Sequence, residues 1–159
     1  MSIIPFIPKY QSAVIKLILE IQTQEFGIDI DVDSQPDLKD IPNFYQQGKG
    51  NFWIALENDR VIGTIGLLDI SKGNAALRKM FVDKAYRGHD KKIAQSLLNT
   101  LINWSKGQKM DAIYLGTTAK FLAAHRFYEK NKFIEIETAA LPKEFPMMKV
   151  DSKFYYFKL

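Results

Sequence analysis

The sequence predicts an α/β protein of the α+β type, with a mixed, mostly antiparallel central sheet and helices on both faces. Two strand patterns, Asn51–Glu57 and Arg60–Asp69, flank Asn58-Asp59, which is a two-residue hairpin connection. A third strand and a strongly amphipathic helix follow, and strands and helices then alternate to the end of the chain. A meander followed by such alternation indicates a mixed sheet that is covered by helices.

Before the meander, the chain predicts a short strand and two helices. Ile3–Phe6 is an apolar run whose proline confines it to a sheet edge. Apolar residues recur at helical spacing over Ser12–Phe26, and Gly27 follows where a helix C-terminus is expected. A weaker helix is predicted over Pro36–Tyr45, with Ser34 as its N-cap.

The later elements are predicted from hydrophobic periodicity. In the central helix, apolar residues recur three and four positions apart, which places them on one face. In order, the elements are the strand Ala75–Val82, the helix Lys92–Lys106, the strand Asp111–Gly116, the helix Ala119–Lys130, and the strands Phe133–Glu137 and Lys153–Leu159.

The amino-acid composition excludes several kinds of site. The 159 residues suit one domain spanning residues 1–159. The chain has no cysteine and 2 histidines, so disulfides and thiol nucleophiles are excluded, and no metal site is expected. A dispersed net charge of +4 does not indicate a nucleic-acid partner.

The distribution of apolar residues gives an expectation about location. No apolar run approaches the ~18 residues of a membrane span. The N-terminal residues also lack the features of a signal peptide. We therefore expect a cytoplasmic protein without a membrane partner.

The segment YRGHDKK, residues 86–92, leads into the central helix. Lys91 and Lys92 lie at or just before the helix N-terminus, where each cation is unfavourable by ~0.3–1 kcal/mol. Asp90 as an N-cap would offset part of this cost. A bound anion would compensate these positive charges, since free backbone N–H groups and flanking lysines bind phosphate. The alternative is an exposed basic loop whose charges are screened by salt.

The order of elements and four segments together resemble the GNAT (Gcn5-related N-acetyltransferase) family, over about Trp53 to Phe133. The segments are WIALENDRVIGTIGL, LRKMFVDKAYRG, KIAQSLLNTLINWS and LGTTAKFLAAHRFYEKNKF. The resemblance implies the acyl-CoA N-acyltransferase fold, in which the fourth and fifth strands splay apart and acetyl-CoA inserts its pantetheine arm between them.

By resemblance, the backbone of residues 80–82 pairs with pantetheine, and residues 89–94 wrap the pyrophosphate. Aligning Ala94 with the last position of the family's phosphate loop puts His89 first and Lys92 where glycine is usual. Starting instead at Arg87-Gly88 makes the loop two residues longer than the common form. The residues so assigned to the cofactor are Met80, Phe81, Val82, Arg87, Gly88, His89, Asp90, Lys91, Lys92, Ile93, Ala94 and Ala124.

Tyr128 falls where the family places a tyrosine near the thioester sulfur. A phenol is protonated at neutral pH and suits protonation of a thiolate leaving group. The alternative is a core tyrosine on an amphipathic helix. Many family members carry a glutamate base where this chain has Ala76, and Asp69 and Asp83 lie at nearby strand ends. A water chain and a neutral amine substrate are equally compatible, so no base is assigned.

Four further residues in the last of these segments are interpreted more simply. His125 is expected to be structural. Phe121 stands where many family members have an asparagine near the cofactor. Thr117 and Thr118 are expected to cap the helix that follows.

The resemblance implies transfer of an acetyl group from acetyl-CoA to a primary amine of a small molecule or a peptide. The alternative is a non-catalytic acyl-CoA-binding or sensor domain on the same fold. We expect residues 26–45 and 138–153 to line the acceptor pocket. The first segment is acidic, which is explained either by attraction of a cationic amine or by exposed turn residues; its aspartates are Asp29, Asp31, Asp33, Asp37 and Asp40. A homodimer is left open.

Overall fold

The computed structural model describes residues 1–88 and 92–159, and in them seven strands form one sheet. Their order across the sheet is β1-β2-β3-β4-β5-β7-β6. The strands are β1 (Ser2–Pro5), β2 (Asn51–Glu57), β3 (Arg60–Asp69), β4 (Asn74–Val82), β5 (Ala112–Thr117), β6 (Ile134–Ile136) and β7 (Lys153–Lys158). The mixed, mostly antiparallel sheet predicted from the sequence is confirmed.

Four α-helices accompany the sheet: α1 (Gln11–Leu19), α2 (Ile41–Phe44), α3 (Ile93–Gly107) and α4 (Leu122–Lys130). The helix predicted over Ser12–Phe26 is found, but its second part, Glu20–Glu25, is a π-helix. Gly27 follows with a φ of +63°, the left-handed conformation expected of a glycine after a helix.

Two hydrophobic cores lie on opposite faces of the sheet, because the apolar side chains of the strands alternate. On one face, Leu97, Leu98 and Leu101 of α3 pack with Tyr128 of α4 against the middle strands. On the other face, Val14 and Ile18 of α1 pack against β2 and β3. Helices therefore cover both faces, as the sequence predicted.

The single parallel pairing of the sheet sets the position of the site. Every neighbouring pair of strands is antiparallel except β4 and β5, which pair only from Asn74–Ala112 to Ala76–Tyr114. Beyond these residues, β4 continues beside β3 and β5 continues beside β7. The two strands therefore diverge and leave a wedge between them, which is the predicted splay.

A β-bulge interrupts β4 in the wedge. The register with β3 shifts between Thr64, opposite Phe81, and Gly66, opposite Arg78. Lys79 takes a φ of +54°, in the left-handed region that non-glycine residues rarely adopt. A bulge places two successive side chains on one face of a strand, here Arg78 and Lys79.

Two predicted helix caps are wrong. Ser34 donates to the backbone of Asp31 in a local turn, while α2 is capped by Asp40, whose carboxylate accepts from the Asn43 N–H. The residue before α4 is Phe121, which makes no side-chain cap, so the threonines at 117 and 118 do not cap it. Over the described ranges, no helix combines the length and apolar character that a membrane span requires.

Replacing Leu97 by alanine tests the core on the α3 face. Leu97 is fully buried, so we expect Leu97→Ala to lower the free energy of unfolding by about 2–5 kcal/mol through lost burial and a new cavity. Leu122→Ala is the matched control, because Leu122 is 61% exposed and its loss should change stability by less than about 0.5 kcal/mol. Urea unfolding measures both, and equal effects would contradict this packing.

Candidate functional site

A cavity of about 490 Å³ opens between the diverging ends of β4 and β5. Residues 77–82 of β4 form one wall, and residues 116–118 with the start of α4 form the other. The third side is closed by the π-helical segment and the chain after it, up to Ile30, and by residues 145–151 before β7. The two segments that the sequence predicted to line an acceptor pocket therefore both contribute.

The structure brings together most of the residues that the resemblance assigned to cofactor and catalysis. Of the assigned residues that it describes, the cavity is lined by Met80, Phe81, Val82, Arg87, Ala94, Ala124 and Tyr128. Gly88 is adjacent to the rim with a φ of +121°. Ile93 is 4% exposed, and its side chain belongs to the α3-face core. His89, Asp90 and Lys91 lie outside the described residues.

Lys92 has the backbone geometry of a glycine position. It precedes α3 with a φ of +52° and a ψ of 26°, which is the left-handed conformation. Its amide donates to the Gly88 carbonyl, and its own carbonyl accepts from Ser96 as the first bond of the helix. The alignment that puts Lys92 where the family has glycine therefore matches the local backbone.

Arg87 is held at the rim by other groups. Its guanidinium donates to both carboxylate oxygens of Glu25, at 2.5 and 2.8 Å, and its Nε donates to the Val82 carbonyl at 2.7 Å. The residue ties the end of β4 to the π-helical segment. Its predicted contact with a phosphate stays a prediction.

Tyr128 is 5% exposed and lies at the cavity wall. Its ring packs against Phe127, Phe133 and Tyr155 at centroid distances of 5.5 to 5.9 Å. Burial raises the pKa of the phenol well above its usual value, so the proton is retained at neutral pH. The hydroxyl has no hydrogen-bond partner among the described residues, so it remains available to a ligand.

A lysine that the sequence interpretation did not single out is buried at the bulge. Lys79 is 7% exposed, donates to the Gln35 side chain at 2.5 Å, and lies 3.7 Å from the Asp37 carboxylate. Gln35 also exchanges hydrogen bonds with Gln22, and Tyr45 donates to Asp37 at 2.5 Å. Burial lowers the pKa of Lys79 to about 8, against the attraction of Asp37.

Two more charged residues line the cavity, one on β4 and one shortly before β7. Arg78 shares the face of Lys79, and its guanidinium lies over the rings of Phe44 and Tyr45. Asp151 stands beyond it, before β7, and accepts from the Met148 N–H at 2.9 Å. The adjacent Arg78-Lys79 pair within an apolar strand was the available sequence signal, since strict alternation cannot place both on one face. For Asp151 the sequence carries no such signal.

The candidate bases considered from the sequence are not in the cavity. Ala76 is fully buried at the last parallel pair of β4 and β5. Asp69 accepts from the Lys49 and Ser71 amides, and Asp83 is paired with Arg60. Asp151 is the single carboxylate among the described residues that line the cavity.

The remaining positions have structural roles in the walls. His125 is buried, and its Nε2 lies 3.0 Å from the Thr118 carbonyl, so it is structural as expected. Phe121 stacks edge-to-face with Phe26 and Phe81 and closes one side of the cavity. The aspartates of residues 29–40 do not line the cavity, and the attraction of an amine to them stays a prediction.

No cluster of three or more potential metal ligands was found in residues 1–88 and 92–159. The charged side chains that line the cavity are instead the cations Arg78, Lys79, Arg87 and Lys120 and the carboxylate Asp151. A predominance of cations suits an anionic ligand.

A mostly antiparallel sheet with one short parallel pair, a cavity in its splay and helices on both faces defines the acyl-CoA N-acyltransferase fold. The chain matches the acetyltransferase (GNAT) family over residues 15–133 and belongs to that family. A GNAT-family acetyltransferase from Staphylococcus aureus Mu50 superposes with a TM-score of 0.95 at 45% identity, over 99% of this chain and 98% of that one.

Two relatives with specific names are similar over shorter stretches. Streptothricin acetyltransferase A of Bacillus subtilis is 30% identical over 126 residues, which are 78% of this chain and 70% of that protein. N-acetylaspartate synthetase of Xenopus tropicalis is 35% identical over 99 residues, or 61% of this chain. The match spans only 36% of that synthetase's length.

The buried ammonium of Lys79 predicts a pH dependence of stability. Its pKa is lowered from 10.5 to about 8 by burial, so between these values the unfolded chain retains a proton that the folded chain has released. Stability therefore rises with pH across this window, and the gain is absent below about pH 8. Relative to Lys79→Met, the wild-type protein should gain about 2 kcal/mol between about pH 7 and pH 10 in urea unfolding. Parallel pH profiles for the two proteins would contradict the buried ammonium.

Proposed function

We propose that this chain transfers the acetyl group of acetyl-CoA to a primary amine by direct attack of the amine on the thioester. The observation that carries the proposal is the cavity between the diverging β4 and β5, with Tyr128 at its wall. Membership of an acetyltransferase family supports the donor. We also propose that residues 1–159 act as one catalytic domain.

The cofactor would add to the sheet where a strand is missing. From Leu77 onward β4 has β3 on one side only, so its other edge offers amide and carbonyl groups to a ligand in the wedge. The amides of pantetheine can pair with such an edge as an added strand does. We propose that residues 80–82 hold this arm, with Ala124 against it from α4.

The diphosphate would lie at the start of α3. Ala94 is in the first turn of that helix and lines the cavity, and the left-handed Lys92 turns the preceding chain as a glycine would. Unpaired N–H groups in the first turn attract anions. We propose that Arg87, Gly88, His89, Asp90, Lys91, Lys92 and Ile93 complete this loop, as the resemblance implies.

Two groups transfer protons in this reaction, the substrate ammonium and the Tyr128 hydroxyl. The substrate ammonium first loses one proton to become the neutral nucleophile, whose nitrogen attacks the thioester carbonyl. As the C–S bond breaks, Tyr128 donates its proton to the CoA thiolate, and the proton lost from the new amide nitrogen restores the phenol. The products are the N-acetyl amine, CoA and one proton released to water. Proximity of amine and thioester supplies much of the rate.

Acceptor, location and assembly are less constrained by the relatives. Their names state N-acetylaspartate and streptothricin, and these differ, so the names do not choose an acceptor for this chain. We propose a small-molecule amine, with a peptide amine as the second possibility, in a cytoplasmic protein. A homodimer and the absence of nucleic-acid and membrane partners remain proposals of the same kind.

Release of free CoA that depends on an added amine tests the proposal, and Tyr128→Phe tests the acid. We expect turnover by the wild-type protein and a loss of about 100-fold or more in kcat for Tyr128→Phe, with acetyl-CoA affinity retained. Tyr155→Phe is the matched control, because its hydroxyl donates to Glu129 and does not line the cavity. Tight acetyl-CoA binding without turnover of any amine would instead establish the sensor alternative.

A carboxylate placed at the start of α3 should exclude the cofactor. Ala94→Glu puts a negative charge and extra volume into the cavity wall, so the Kd for acetyl-CoA should rise at least about tenfold. Gln95→Glu is the control, since Gln95 points to Asn99 and Asn131. Isothermal titration measures both, and unchanged affinity in Ala94→Glu would place the diphosphate elsewhere.

A further inference from the structure

The wall of the cavity opposite the start of α4 carries a cation without a matching anion. The bulge puts Arg78 and Lys79 side by side on one face, where their charges repel. Lys79 is compensated by Asp37 at 3.7 Å. Arg78 has no carboxylate oxygen within 4.0 Å among the described residues, and its one hydrogen bond there goes to the Met148 sulfur at 3.2 Å.

Arg78 is nevertheless held in place. Its guanidinium carbon lies 5.5 Å from the Phe44 ring centroid and 6.0 Å from that of Tyr45. Tyr45 is itself fixed by burial and by its hydrogen bond to Asp37. A guanidinium ordered by aromatic rings, with donors that remain unused at a cavity wall, is suited to bind a carboxylate through two parallel hydrogen bonds.

The opposite charge lies in the same part of the cavity, because the Met148 sulfur accepts from Arg78 and the Met148 N–H donates to Asp151. The Asp151 carboxylate covers Gly116 of β5 so closely that an added Cβ there would lie 2.6 Å from its oxygen. Burial raises the pKa of Asp151, while the Met148 N–H and the cations Arg78 and Lys79 oppose that rise. Asp151 lines the same cavity in which we propose that the thioester is held.

We propose that Arg78 and Asp151 form the acceptor subsite, and that the acceptor is a small molecule carrying both a primary ammonium and a carboxylate, the chemical class of the amino acids. Arg78 binds the carboxylate. Asp151 binds the ammonium and accepts the proton that the nitrogen loses before it attacks. Each charge of the acceptor meets one of opposite sign, so a zwitterion leaves no buried charge unmatched.

The apolar lining of the cavity increases its selectivity for a zwitterionic acceptor. Met148 contacts both charged residues, and Ile28 and Phe145 add apolar surface to the same cavity. A simple alkylamine would leave the Arg78 guanidinium desolvated and unpaired. An amino acid whose carboxylate has been converted to an amide would do the same.

This inference rests on the proposed function, and matched acceptors separate the two. Amino acids and their carboxamides are compared as acceptors with acetyl-CoA, in a panel that includes apolar and acidic side chains. We expect kcat/KM for at least one free amino acid to exceed that of its amide by about 100-fold. Turnover of amides or alkylamines as fast as of every free amino acid overturns the subsite but leaves the acetyltransferase in place. Turnover of no amine at all overturns the proposed function itself.

Substitution of Arg78 tests whether this residue binds the carboxylate of the acceptor. Arg78→Gln should raise KM for the preferred amino acid by about 10- to 100-fold and leave the slow reaction of its amide unchanged. Arg78→Lys should restore part of the loss, because the charge returns without the planar fork. Arg126→Gln is the matched control, since Arg126 is exposed on α4 and outside the cavity. An Arg78→Gln protein that folds, binds acetyl-CoA and keeps the wild-type preference overturns the assignment of Arg78.

Asp151 is tested by Asp151→Asn, which keeps the acceptor for the Met148 N–H but cannot take up a proton. We expect kcat to fall by about 100-fold at neutral pH, with acetyl-CoA affinity retained. A kcat within twofold of wild type at about pH 7 overturns the role of Asp151 as the proton acceptor.

Discussion

The site depends on the short length of the pairing between β4 and β5. Three residue pairs, from Asn74–Ala112 to Ala76–Tyr114, hold the two halves of the sheet, and each strand then follows its other neighbour. An interrupted ladder leaves backbone groups that need partners, and these groups face a cavity instead of a packed core. The wedge is at once a gap in the sheet and a binding edge for a chain-like ligand.

The bulge in β4 gives the wedge its charge. One extra residue turns Lys79 into a left-handed conformation and aligns it with Arg78 on the same face. The lysine joins the strand to Gln35 and Asp37, so the chain between α1 and α2 is fixed to the wall of the cavity. With Lys79 compensated in this way, Arg78 is the one of these two cations that a ligand can use.

The sequence predicted what periodicity and turn chemistry determine. The bounds of β2 and β3 match the structure, because the alternation is regular and Asn58-Asp59 adopts the positive φ angles of a tight hairpin turn. The π-helical segment after α1 was not predicted, since Ile21 and Gln22 continue a helical pattern whatever the type of helix. The cap at Ser34 failed because a short polar side chain also suits the turn where it is found. The cap at Thr117-Thr118 failed because Thr117 ends β5 and α4 begins only at Leu122.

The candidate site was predictable only in part. Tyr128 and the residues of the β4 edge came from a resemblance of sequence segments, and the structure places them around one cavity. Arg78 and Asp151 were missed, because they are 73 positions apart and only the fold brings them to the same space. Arg78 carries a sequence signal only through its pairing with Lys79 in an apolar strand, and Asp151 carries none, because the function of each depends on which neighbours compensate its charge.

Hydrogen–deuterium exchange with and without acetyl-CoA tests most directly whether the wedge holds the cofactor. The account predicts slower exchange for peptides that cover residues 80–82 of β4 and 92–96 at the start of α3, while the edge strand β1 keeps its rate. Binding of acetyl-CoA that leaves the exchange of residues 80–82 unchanged would contradict the account.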